Sequence, residues 1–109
     1  MTIPQLSVQE LKNRLCSEKI PILLDCRNDD ERRYCHIEPS FFIPLPELIT
    51  RLHEVEPSEG QAIVVYCHHG IRSLRGAAIL INAGFSNVYS LAGGIDAWSL
   101  MIDSTVLRY

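Results

Sequence analysis

The stretch Val-Val-Tyr-Cys-His-His-Gly-Ile-Arg-Ser-Leu-Arg-Gly, residues 64–76, places a thiol, two imidazoles and a guanidinium within six consecutive positions. Four roles are open to Cys67: metal ligand, phosphatase nucleophile, sulfur carrier, or small apolar residue closing a buried strand. The preceding run, Gln-Ala-Ile-Val-Val-Tyr-Cys, is rich in β-branched residues and reads as a strand. The segment from Arg72 to Gly84 reads as a helix that Gly84 stops. Cys67 therefore ends a strand, and a helix begins near Arg72 or Ser73 after a turn containing Gly70. Glycine there permits the positive φ that curls such a turn and aims its N–H groups inward. The helix start adds unpaired N–H groups and the positive end of its dipole, with Ser73 or the loop backbone to cap it. A sulfur over this ring of donors is expected to be favoured as a thiolate, and the same ring suits an anionic substrate. Cys67 is thus the candidate nucleophile. Its bland alternative is a core residue, the usual fate of a cysteine.

The other roles are constrained by spacing. A zinc site takes about four ligands, commonly in paired spacings. Cys67, His68 and His69 are contiguous, and no second Cys or His pair complements them, so no metal is expected. His68 and His69 have no evident carboxylate to orient a base and are expected at the loop rim. Four residues separate Cys67 from Arg72. Cysteine phosphatases wrap their phosphate with a loop one residue longer. The smaller ring favours a smaller reacting atom, such as a sulfane sulfur.

The elements that must position this loop alternate between strand and helix. Ser7 and Glu10 form a capping box ahead of a helix whose inner face is Val8, Leu11 and Leu15. Pro-Ile-Leu-Leu-Asp-Cys is a short continuous apolar run, as a buried strand requires. Asn-Asp-Asp-Glu-Arg-Arg-Tyr-Cys-His has its acids first and its bases later, the order that complements a helix dipole. A short strand follows in Ser-Phe-Phe-Ile-Pro-Leu-Pro. Leu-Pro-Glu-Leu-Ile-Thr-Arg-Leu-His-Glu-Val reads as a helix with Leu48, Ile49 and Leu52 inside. Residues 86–100 read as a strand, a glycine turn and a short helix. This alternation predicts an α/β domain with a mainly parallel sheet and helices on both faces. Sites in such sheets lie beyond the C-terminal strand ends. Asp25, Arg27 and Cys67 all lie at such ends.

The chain has 109 residues, 47% of them hydrophobic and 21% charged, which bounds it to a single domain over 1–109 with a core of its own. A net charge of −3 with no long block of one sign gives no footprint for nucleic acid or a membrane surface. No apolar run approaches the roughly 20 residues that span a bilayer, and the opening residues lack the pattern of a signal peptide. A cytoplasmic setting is expected. The four cysteines (Cys16, Cys26, Cys35 and Cys67) are irregularly spaced, so reduced thiols are expected rather than a disulfide framework.

Taken in order, these stretches resemble a single-domain rhodanese, a sulfurtransferase family. Leu-Leu-Asp-Cys-Arg and the acidic helix to His36-Ile37 resemble that family's Asp-Val-Arg and His-Ile-Pro-Gly-Ala segment. Residues 63–80 resemble its active-site loop and helix. Gly84 to Trp98 resembles its closing stretch, with Gly93-Gly94 as a structural turn and Trp98 as a packed ring. The tail from Ile102 resembles endings of small bacterial members. The resemblance covers roughly residues 3–100. It implies a five-stranded parallel sheet and a persulfide on Cys67, loaded from thiosulfate or another small-molecule donor and passed to cyanide or a thiol. It implies no cofactor, and a sulfur-relay protein as a conceivable partner. The active-site loop would comprise His68, His69, Gly70, Ile71, Arg72 and Ser73. Arg72 would contact substrate or brace the loop, with Asp25 as its candidate partner, and Arg27 would be a second brace. A strand-end ion pair is the plainer role for Asp25 and Arg27. The alternatives are a non-catalytic binding or redox-sensing module, and a small cysteine phosphatase or arsenate reductase. Cys26, Cys35 and Glu38-Pro39-Ser40 depart from the family pattern, so the turn after His36 is expected to differ.

Overall fold

The computed structural model describes residues 2–109. Five strands, β1 (Gln5–Leu6), β2 (Ile22–Asp25), β3 (Phe41–Phe42), β4 (Ile63–Tyr66) and β5 (Val88–Leu91), form one sheet. Its order is β1-β5-β4-β2-β3, and every pair is parallel. The expected α/β class with a parallel five-stranded sheet is the one found. The two-residue β1 is too short to show a period and carries no strand signal of its own.

Alternation along the strands divides the core. Leu23, Val64 and Tyr66 point to one face and pack with Leu11 of α1 (Val8–Leu15) and with Ile95 and Trp98 of α5 (Gly94–Met101). Leu24, Val65 and Cys67 point to the other and pack with Leu48 of α3 (Leu45–Leu48) and with Ala77 and Leu80 of α4 (Arg72–Asn82). Burial on both faces explains the continuous apolar runs of β2 and β4. Trp98 is the packed ring expected. The Ser7–Glu10 capping box forms as read, and α2 (Asp29–Tyr34) begins with its three acids.

One helix reading fails. The segment from Leu45 to Val55 is α3, a turn and a short 3-10 stretch at Leu52–Glu54. Ile49 is 66% exposed, while Leu48 is buried. Thr50 and Arg51 bond back to the carbonyls of Glu47 and Leu48, three residues earlier. This tightening breaks the 3.6-residue period on which an inner Ile49 depended. Arg51 then pairs with both Glu47 and Glu54 on the outer side.

Candidate active site

β2 and β4 lie side by side with Asp25 opposite Tyr66, so Cys26 and Cys67 leave the sheet at the same edge. From Cys67 the chain turns back within four residues to start α4. Gly70 carries the turn at φ +99°, where a side chain would be strained and tightly fitted: a Cβ there would sit 3.1 Å from Gly93 N and Leu91 O. The result brings two backbone donors onto the sulfur. Gly70 N–H donates to Cys67 Sγ at 3.2 Å and Ser73 N–H at 3.3 Å. Ser73 Oγ lies 3.5 Å from the same sulfur and 2.7 Å from Ser90 Oγ. Of the two caps left open, Ser73 or the loop backbone, the Ser73 side chain makes none, and Cys67 Sγ occupies the place of an N-cap acceptor at the head of α4. Cys67, Ser73 and Ser90 are all buried.

A second helix supports the loop from behind. Ile95 N–H donates to Cys67 O at 2.9 Å and Asp96 N–H to His68 O at 3.1 Å. The first turn of α5 thus spends its free donors on the loop carbonyls. Gly94, at φ +59°, allows this approach. A Cβ on it would lie 2.5 Å from Cys67 O and 2.4 Å from His68 O.

The charged residues sort into two groups. Asp25 and Arg27 are both fully buried and form a two-pronged pair at 2.9 and 2.8 Å. Arg27 also donates to Cys35 O at 2.6 Å and Tyr109 Oη at 3.0 Å. Asp25 further accepts from Tyr66 Oη at 3.0 Å and Arg32 at 3.3 Å. Burial, and then the charge of Asp25, push the Tyr66 phenol up to about 12. Arg72 does not join this group, so the expected Asp25 partner is incorrect. Asp25 is already filled by two arginines and a phenol, and Arg72 faces Glu31 of α2 instead. The hydrogen bonds from Arg72, opposed by burial and aided by the Tyr109 phenol, hold the Glu31 carboxyl at about 2.

At the rim, His68 stacks on Tyr109, with ring centroids 3.8 Å apart and planes 7° apart. His69 is mostly exposed, and its nearest carboxylate, Asp96, stands 4.0 Å from Nδ1. Ile71 is 78% exposed and projects from the loop. Of the loop residues read from the sequence, Gly70 and Ser73 meet the Cys67 sulfur, Arg72 turns to Glu31, and His68, His69 and Ile71 stand at the rim. Glu31, Ser90, Gly94 and Tyr109 were not singled out as site residues. Glu31 stood among the acids that open α2, and Gly94 in the glycine pair read as a turn. Ser90 and Tyr109 carried no local signal. Among the described residues, no group of three or more His, Cys, Asp or Glu side chains converges to hold a metal ion, and no helix is long and apolar enough to cross a membrane.

Residues 7–101 match the family model described as Rhodanese-like domain. The chain is 30% identical over 84 residues to a thiosulfate sulfurtransferase, GlpE, of Vibrio cholerae, covering 77% of each protein. It is 37% identical over 87 residues to an adenylyltransferase and sulfurtransferase, MOCS3-2, of Zea mays, covering 75% of this chain and 18% of that protein. It also spans only 52% of the length of a Bacillus subtilis relative. The crystal structure of a rhodanese-like domain protein from Staphylococcus aureus superposes with a TM-score of 0.82 at 23% identity, over 98% of this chain and 99% of that one. That likeness is one of fold.

Proposed function

The chain belongs to the rhodanese-like domain family, and on that premise we propose that it is a sulfurtransferase carrying sulfane sulfur as a persulfide on Cys67. The Cys67 thiolate attacks the outer sulfur of a donor such as thiosulfate, the donor S–S bond breaks, and sulfite leaves with the electron pair. An acceptor, cyanide or a thiol, then attacks the outer sulfur of the persulfide and Cys67 departs as thiolate. The observation that carries the reading is the pair of N–H donors from Gly70 and Ser73 on Cys67 Sγ. Such preorganised donors suit an anionic sulfur in both halves of the cycle. The loop length supports sulfur over phosphate, since only four residues lie between Cys67 and Arg72. Arg72, paired with Glu31, braces the loop, and Asp25 with Arg27 braces the strand ends beneath it. His68, His69 and Ile71 form the rim that donor and acceptor cross. Four free thiols accord with a reducing, cytoplasmic setting.

Intact-protein mass spectrometry tests the reading. Thiosulfate is expected to add one sulfur to the reduced protein, cyanide to remove it as thiocyanate, and Cys67→Ser to do neither. Equal thiosulfate:cyanide turnover by wild type and Cys67→Ser would overturn it. Tight partner capture with no sulfur gain would leave the non-catalytic module as the better account.

A further inference from the structure

Cys26 and Cys67 each directly follow the end of one of two adjacent strands, β2 and β4. Asp25 is in register with Tyr66, and the ladder runs one step further, because Cys26 N–H donates to Tyr66 O at 3.1 Å. Neighbouring strands lie about 4.8 Å apart, within the roughly 4.4–6.8 Å between Cα atoms that a disulfide spans. Both side chains face the same side of the sheet, in the apolar cluster of Leu24 and Val65. Both also meet α4. Cys67 Sγ sits against Ser73, and Cys26 Sγ lies 3.7 Å from the point that a Cβ on Gly76 would occupy, one helical turn along. Neither remaining cysteine competes. Cys35 packs in the cluster on the opposite face, and Cys16 is exposed at the end of α1.

We propose that Cys26 is a resolving thiol for Cys67: a hydroperoxide converts Cys67 to its sulfenic acid, and Cys26 condenses with it into a disulfide that blocks sulfur uptake until an external thiol reduces it. The inference rests on the reading of Cys67 as the nucleophile. In the first step the Cys67 thiolate attacks a peroxide oxygen, the O–O bond breaks, and water or an alcohol leaves after protonation. In the second, the Cys26 sulfur attacks Cys67 Sγ, an S–S bond replaces the S–O bond, and the Cys26 proton leaves with the hydroxyl as water. The two cysteines together lose two electrons, and the peroxide gains them. Two equivalents of external thiol restore both.

The surroundings keep this pathway in reserve. Burial, then the negative charges of Cys67 and Asp25, push the Cys26 thiol up to about 12. Cys26 therefore stays protonated while Cys67 reacts. A neutral sulfenic acid at Cys67 removes one of those charges when a resolving sulfur is needed. Forming the disulfide also ties up Cys67 Sγ, the atom that would carry sulfur.

The test treats reduced full-length protein with one equivalent of hydrogen peroxide, followed by alkylation, intact mass and non-reducing peptide mapping. Wild type is expected to lose two hydrogens, to yield a peptide joining Cys26 to Cys67, and to recover sulfur transfer with dithiothreitol. Cys26→Val and Cys26→Ser are expected instead to gain oxygen at Cys67, to be trapped by dimedone, and to pass to forms that dithiothreitol does not rescue. A wild type that over-oxidises as the variants do, or joins Cys67 to Cys16 or Cys35, overturns the proposal. Thiosulfate loading of the untreated protein is scored separately. Persulfide without the Cys26–Cys67 link rejects this inference alone, and the link without persulfide rejects the sulfurtransferase reading alone.

Discussion

Arg72 closes a two-pronged hydrogen bond on Glu31, at 2.7 and 2.9 Å, and so ties the first turn of α4 to the first turn of α2. The contact joins the end of the Cys67 loop to a helix 41 residues earlier in the chain. Its geometry is that of a brace, since both outer guanidinium nitrogens are engaged by protein. Tyr109 Oη donates to the same carboxylate and accepts from Arg27, so one phenol connects the loop brace to the buried Asp25–Arg27 pair.

The Glu31 brace makes stability depend on acid. The carboxyl is lowered from 4.5 to about 2 in the folded chain, first by the hydrogen bonds from Arg72. A group depressed on folding contributes stability that is fully present above its unfolded value and lost as pH falls toward the folded one. The window therefore runs from about pH 5 down to about pH 2. Discounted for solvent screening, the contribution is about 1 kcal/mol. Urea unfolding of wild type should weaken by about that much more across this window than unfolding of Glu31→Gln. Parallel pH curves for the two proteins would show that the brace contributes nothing to stability.

Arg27 is expected to tolerate no substitution, lysine included. It is fully buried and serves Asp25, Cys35 O and Tyr109 Oη from a planar fork that an ammonium cannot copy. Arg27→Lys should cost roughly 3–5 kcal/mol, because it leaves buried acceptors unpaired. Thermal unfolding should drop by at least about 10 °C. Arg33→Lys is the control, since its pair with Asp29 is exposed on both sides and should change stability by under about 0.5 kcal/mol. Similar melting of the two variants would place Arg27 outside the framework.

Two glycines with positive φ should respond differently to alanine. At Gly84 a Cβ meets nothing within 4 Å, so Gly84→Ala carries only backbone strain, about 1–2 kcal/mol, and leaves turnover unchanged. At Gly94 a Cβ would press on the carbonyls of Cys67 and His68. Gly94→Ala should displace the loop and lower sulfur transfer on the order of 10²-fold, the usual effect of misplacing a reacting group by about 1 Å. Equal turnover of the two variants would mean that the loop does not depend on the head of α5.

The strands and helices that carry the site were legible because their signals are local. A continuous apolar run gave β2, a β-branched run gave β4, the capping box gave α1, and Gly70, Gly84 and Gly93-Gly94 marked turns. The placement of Cys67 was legible for the same reason, since strand end, glycine turn and helix start are consecutive. What escaped depends on pairings across the fold. Glu31 meets Arg72 over 41 residues and Tyr109 over 78, and nothing near any of the three announces a partner. Asp25 was misassigned to Arg72 because sequence order does not show that Arg27, Arg32 and Tyr66 already surround it. Ile49 was misplaced because a shift to three-residue hydrogen bonding leaves the hydrophobic pattern unchanged.

Tyr109 offers the clearest test of whether these braces act as one network. Tyr109→Phe keeps the ring that stacks on His68 but removes the hydroxyl that joins Arg27 to Glu31. It should cost about 1–2 kcal/mol, because Arg27 loses a partner in a buried setting. Tyr109→Ala should cost about 0.5–1.5 kcal/mol more through loss of the stack. If phenol, carboxylate and guanidinium form one unit, Tyr109→Phe and Glu31→Gln will not add. Urea unfolding of both single variants and the double variant should give a coupling of about 1 kcal/mol, since the second change removes an interaction that the first has already lost. Additivity within about 0.3 kcal/mol would instead make the Arg72–Glu31 brace independent of Tyr109.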